Sequence, residues 1–318
     1  MKNLLIIGLS ALLITPLVNS VPVYYFQEDN LDFHKGAQVA VYVGPGTSRD
    51  GIIAFEHFLD WKGLTWEEVT YEDINQKNLS ALYDVLHIPG GRFDQYAYYI
   101  NENGTYHIRD LVSMGGGYIG ICGGAYYASS ICQWDDITFK FSLQLFNGTA
   151  AGPLWNEYFM SRLNMVGDHP INAYEPPFEW VLYGGGPAFY PNPGQKMGII
   201  ATYAKYNNEA AAISFEFGEG RVVLISPHPE IEEDSDRDGT DVAQSLCDMG
   251  SDWRLLWTCM DWVMGYNISR PKLNIQMELS YRTYSSFFYF FISLIERFPL
   301  FGFVNIRLIK KIKDGVLK

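Results

Sequence analysis

Cysteine is scarce in this chain of 318 residues, occurring only at 122, 132, 247 and 259. No C-x-x-C pair is present and no histidine stands at zinc-finger spacing, which excludes structural zinc as the organising element. So few cysteines cannot replace a core either, so a disulfide scaffold is excluded; a Cys247–Cys259 pair and free buried thiols both stay open. Basic charge is also short. Lys and Arg number 23 against 36 Asp and Glu, a net charge of −13, and an acidic body lacks the basic footprint that nucleic acid requires. No apolar run approaches the roughly 20 residues of a membrane-spanning helix, and no internal repeat is present.

What is present divides the chain in three. Lys2, the apolar run Leu4 to Ile14 and the small residues ending at Ser20 read as a secretory signal over 1–20, predicting an exported protein, extracellular or in the cell envelope. Residues 21–270 have apolar content enough for a sizeable core. Residues 271–318 hold eight Lys/Arg against three Asp/Glu, a net +5, so residues 1–270 carry −18. In that tail Val304, Leu308, Ile312 and Val316 recur every four residues beside Arg307, Lys310, Lys311 and Lys313, as in a basic amphipathic helix. Its apolar stripe fits membrane-surface contact or packing on protein. Sequons at Asn78, Asn103, Asn147 and Asn267 are compatible with glycosylated loops.

Strand and helix patterns alternate through the first half of the body. Residues 37–43, 65–71, 84–88 and 116–121 read as strands, and 50–62, 78–83, 105–114 and 123–131 as helices. Alternation of this kind predicts an α/β fold, a parallel sheet with helices on both faces. Residues 137–145, 198–203, 210–217 and 221–226 add strands expected to be antiparallel, and the amphipathic segment 250–264 reads as a closing helix.

In a parallel sheet, chemistry gathers beyond the carboxyl ends of the strands. There the strand ending at Ile121 delivers Cys122 into a turn flanked by Gly120, Gly123 and Gly124. This is the grammar of a nucleophile elbow, in which small flanks expose a strained reactive side chain and the following helix N-terminus favours a thiolate. A second strand, 222–226, runs into Pro227-His228-Pro229-Glu230. Residues i and i+2 of an extended segment face the same way, so Glu230 can orient His228 as base for Cys122. Arg92, after Gly90-Gly91, is a candidate partner for a substrate carboxylate.

G-I-C-G-G at 120–124, I-P-G-G at 88–91 and H-P-E at 228–230, in this order, resemble the class I glutamine amidotransferase-like superfamily. G-I-C-G-G-A-Y-Y at 120–127 is most similar to the domain at the N-terminus of some biotin-protein ligases. The resemblance covers residues 36 to 265. It implies a flavodoxin-like three-layer sandwich with a mostly parallel sheet, a Cys122, His228, Glu230 triad, and an oxyanion hole from the amides of Gly91 and Gly123. Tyr126 joins Arg92 as a candidate substrate contact. The superfamily's usual G-x-C-x-G-x-Q is broken here by Ala125-Tyr126-Tyr127, which argues against glutamine as substrate. The expectation is an exported thiol hydrolase of a small amide, γ-glutamyl or peptide-like bond that needs no cofactor. The rivals are a non-catalytic ligand-binding or cell-envelope module and an amidotransferase subunit that needs a partner.

The acidic run after the H-P-E segment places Asp234, Asp236, Asp238 and Gly239 like the opening of a calcium loop, with Ser245 where a twelfth-position glutamate would stand. Calcium and a plain solvated loop are the two readings.

Overall fold

The structure is a computed structural model that describes residues 38–232, 237–246 and 250–265. Its centre is a run of five parallel strands in the order β2 (Trp66–Val69), β1 (Val39–Tyr42), β3 (Val85–Ile88), β4 (Gly117–Ile121) and β13 (Gly220–Ile225). Strand periodicity divides the core between two faces. Ala40, Tyr42, Leu86, Ile88, Tyr118, Val222 and Leu224 enter one cluster, while Val39, Val41, Val85, Ile119, Ile121, Val223 and Ile225 enter the other.

Helices cover both faces, as the alternating pattern predicts. On the second face lie α1 (Arg49–Lys62) and the closing helix, numbered α6 (Trp253–Val263). Helix α1 starts at Ser48, whose hydroxyl accepts from the Gly51 amide, and ends at the left-handed Gly63. Its residues Phe55, Phe58 and Leu59 are wholly buried, each contributing about 1.5–3 kcal/mol of apolar burial. Lys62 pairs with Asp261 and so ties α1 to α6. On the first face lie α2 (Tyr71–Gln76), α3 (Phe93–Tyr99), α4 (Glu102–Ser113) and the short α5 (Gly123–Ala128).

Beyond β13 the sheet continues antiparallel through β12 (Ala210–Phe217), where it forks. One branch runs through β10 (Ala188–Pro191), β7 (Phe146–Gly152), β5 (Ser129–Trp134) and β6 (Ile137–Lys140). The other runs through β11 (Gly198–Tyr203), β8 (Phe159–Met165) and β9 (Phe178–Tyr183). The architecture is the expected α/β one, with a larger antiparallel extension than the sequence patterns indicate. Strand β5 begins at Ser129, where the expected helix 123–131 would still be running, because the chain turns extended after one and a half turns.

Among the described residues no helix is long and apolar enough to cross a membrane. The signal segment, the basic tail, Cys247, Asn267, Asp234 and Asp236 lie outside the described residues. Asn78, Asn103 and Asn147 are exposed, and Cys132 and Cys259 are free, fully buried thiols.

Candidate active site

Register brings the site together. Strand β4 lies between β3 and β13, with Ile121 opposite Ile225 and Gly120 opposite Ile88. The segments after these three strands therefore leave the sheet side by side, carrying Cys122, His228 with Glu230, and Gly90 with Gly91. The Cys122 amide donates to Ile225 O at 2.8 Å, which locks the elbow to the neighbouring strand.

Cys122 adopts φ 46° and ψ −100°. A residue with a Cβ rarely sits there, and such strain persists only where the surroundings impose it. The constraint comes from the glycines around it. A Cβ on Gly123 would stand 2.4 Å from Gly91 O and 2.7 Å from Gly91 N, so the two peptides are in direct contact. Neither the Gly91 nor the Gly123 amide has a backbone acceptor among the described residues. Two unspent donors therefore lie together beside the sulfur, as an oxyanion hole requires.

The Gly91 peptide is held by a clamp that the sequence patterns do not disclose. Ser48 N donates to Gly90 O at 2.8 Å, and Arg92 N donates to Gly46 O at 2.8 Å. The buried Tyr96 hydroxyl donates to Gly90 O at 2.9 Å. Gly91 itself has φ 136°, and a Cβ there would lie 2.1 Å from Gly46 O.

His228 Nδ1 and Glu230 Oε1 are 2.8 Å apart, and Cys122 is close enough to the imidazole to favour its charged form. Burial opposes an imidazolium at His228, but the Glu230 carboxylate and Cys122 outweigh it, and its pKa stands well above 6.5. The segment is anchored from both sides: His228 N donates to Leu182 O at 2.8 Å, and Trp253 Nε1 donates to Glu230 O at 2.9 Å. The sulfur lies 3.7 Å from Gly184 O, and a Cβ on Gly184 would lie 3.1 Å from His228 Nε2, so the turn after β9 walls the site beside both groups.

Two residues expected to touch substrate are placed otherwise. Arg92 turns outward and forms a bidentate pair with Asp94, at 3.1 and 2.7 Å. Tyr126 stands at the glutamine position of G-x-C-x-G-x-Q but is wholly buried, packed on Phe93 and Trp134. Its hydroxyl donates to Gly185 O at 3.1 Å, so it shapes the Gly184–Gly186 turn from beneath. Asp238 is buried and accepts from the amides of Glu232 and Thr240, at 2.9 and 3.0 Å. Its carboxylate thus closes a turn of its own chain. Among the described residues no three His, Cys, Asp or Glu side chains gather as a metal site.

A strand-end thiol on an elbow, with histidine and carboxylate from the adjacent strand and glycine amides from the other, is the arrangement that the resemblance to class I glutamine amidotransferase-like proteins implies. Two structures from Thermotoga maritima share the fold. They are PurLQS, at 18% identity and TM-score 0.51 over 71% of this chain and 99% of that one, and a glutamine amidotransferase, at 14% identity and TM-score 0.51 over 73% and 100%. More particularly, the chain belongs to the biotin-protein ligase N-terminal family, whose model matches residues 37–249. It is 30% identical over 161 residues to the biotin–protein ligase of Schizosaccharomyces pombe, covering 46% of this chain and 25% of that one. It is 29% identical over 176 residues to an uncharacterized protein of Chlamydia muridarum, covering 52% and 62%. The chain thus spans less than two thirds of either relative.

Proposed function

We propose that the protein is a thiol hydrolase of small amide or peptide-like bonds. The observation that carries this reading is the strained Cys122 beside a His228 that Glu230 orients at 2.8 Å and helps to hold charged. The sulfur attacks the substrate carbonyl carbon, and the amides of Gly91 and Gly123 take the oxygen as it becomes an oxyanion. Collapse of that intermediate breaks the C–N bond while His228 gives its proton to the leaving amine. Water, deprotonated by His228, then cleaves the thioester, releasing the acid and restoring the thiol. Glu230 keeps the imidazole oriented throughout. The chemistry uses only groups of this chain and calls for no cofactor.

The apolar signal-like segment at 1–20 supports export, and the basic tail supports attachment at a membrane surface. An amide library turned over by the wild type and not by Cys122→Ala supports the hydrolase reading; equal, background rates for both proteins reject it. The buried Tyr126 at the glutamine position favours one second reading, a ligand-binding module that keeps the pocket. A partner-dependent amidotransferase is disfavoured by the same residue.

A further inference from the structure

The wall of the thiol site opens into a second feature. A cleft of about 180 Å³ lies on the far side of Gly184, lined by Trp134 from the end of β5, Trp155, Glu157 and Tyr158 from the β7–β8 connection, and Gly184 itself. It communicates with the chemistry through that glycine. Gly184 O is 3.7 Å from the Cys122 sulfur. A Cβ on Gly184 would lie 2.7 Å from Tyr158 Cε1 and 3.1 Å from His228 Nε2. The cleft is therefore one short step from the attacking atom and from the base.

Its size and lining restrict what it takes. Pockets for drug-sized ligands begin at about 300 Å³, so this one accepts a single group of side-chain size and leaves the rest of a ligand outside. The two tryptophan walls are held by packing, while Tyr158 is exposed at the rim. Trp155 is packed against Phe159 and Tyr183, with ring centroids 5.0 and 5.1 Å away. Trp134 rests on Phe93 and Tyr126 at 5.3 and 5.4 Å. The floor is tied down as well, because Tyr183 donates to Gly186 O at 2.8 Å. Among the described residues Glu157 supplies the one charged side chain of the lining. Aromatic faces and one carboxylate attract a cation, whereas an anionic group meets no positive partner there and Arg92 is committed to Asp94.

We infer that this cleft is the specificity pocket of the Cys122 site and that it takes a positively charged group on an aromatic or alkyl stem. The inference rests on the hydrolase reading for its consequence: the cleaved amide carries a cationic side chain on its acyl part. Glutamine sets an α-carboxylate beside its α-ammonium, and the described lining offers that carboxylate no positive partner.

Two measurements on the full chain test this separately from the chemistry. In the first, calorimetry compares benzamidine with its neutral and anionic counterparts, benzamide and benzoate, on wild type and Glu157→Gln. Benzamidine is expected to bind more tightly than either, with Glu157→Gln costing about five- to tenfold in affinity. Equal binding of the three, or no effect of Glu157→Gln, overturns the pocket. In the second, arginine and lysine p-nitroanilides are compared with the phenylalanine and γ-glutamyl analogues, and the basic substrates are expected to have the higher kcat/KM. Turnover without that preference overturns the inference and leaves the hydrolase standing. Benzamidine binding that depends on Glu157, with no anilide cleaved, keeps the cation pocket and removes the hydrolase.

Discussion

His228 and Glu230 face each other across 2.8 Å, with Glu230 only 1% exposed and its backbone carbonyl held by the Trp253 indole. A carboxylate buried this deeply, two residues from an imidazole on a proline-stiffened segment, has its orientation decided by the fold. The consequence is a histidine that stays charged near neutral pH.

The charge state can be read directly. In 15N spectra the ring of His228 should titrate well above 6.5, against the depressed values of His87 and His169. Glu230→Gln and Cys122→Ala should each lower it, since each removes a group that favours the imidazolium. The folded value lies above the unfolded one, so the stabilisation is complete below about pH 6.5 and is lost as pH rises through the folded pKa. If hydrolysis is observed, Glu230→Gln should lower kcat by about 10²- to 10⁴-fold with the protein still folded.

His87 carries the opposite sign. It is wholly buried, stacked on Phe55 at 3.5 Å between ring centroids, with Nδ1 on Ile119 O and Nε2 without a partner. Burial pushes its pKa down to about 3. Below about pH 6.5 the unfolded chain takes up a proton that the folded one refuses until about pH 3, so stability falls across that window. Urea midpoints at pH 7 and pH 4.5 should drop less for His87→Asn than for wild type; parallel slopes would contradict the assignment.

On the proposed mechanism Tyr96 positions the loop that carries the Gly91 amide. Tyr96→Phe deletes the hydroxyl that donates to Gly90 O and should cost about 1 kcal/mol of stability. A merely structural role would move only the melting temperature. The positioning role also predicts a lower kcat at nearly unchanged KM, because in the proposed mechanism the Gly91 amide would serve the transition state and not the bound substrate.

Gly91→Ala tests the same loop more severely. Its Cβ would meet Gly46 O at 2.1 Å and a backbone at φ 136°. Loss of turnover is expected together with a lower melting temperature, while the distant Gly63→Ala, which meets nothing within 4 Å, should show only the cost of a left-handed alanine, about 1 kcal/mol. Equal behaviour of the two would contradict the clamp.

The parallel half of the fold and the meeting of Cys122 with the His228–Glu230 segment are legible because their signals are local. Strands β1, β3 and β4 are apolar runs stopped by Gly or Pro, and Cys122 and His228 each follow such a run. Helix α2 is signalled by Thr70 and Asp73, which form a capping box, and its cap and first residue fall within the strand expected over 65–71. Strand β7, Phe146-Asn147-Gly148-Thr149-Ala150-Ala151-Gly152, has neither clean alternation nor bulk, and it exists because β5 and β10 flank it. The aromatic cleft was hidden for the same reason. Trp134 and Trp155 come from separate elements, and only the antiparallel extension brings them to the turn beside Cys122. The partner of Arg92 is not legible in the G-G-R run alone, because Asp94, two residues on, pairs with its guanidinium.

The most direct test of the central claim, that Cys122 is a nucleophile served by His228, is the rate of alkylation of each thiol by iodoacetamide near pH 7. Cys132 and Cys259 are sealed in the core, and burial pushes the Cys132 thiol up to about 12 and that of Cys259 further still. Cys122 should therefore react at least about tenfold faster than either, and His228→Ala should remove most of that advantage. Slow, equal labelling of all three thiols, unchanged by His228→Ala, would contradict the account.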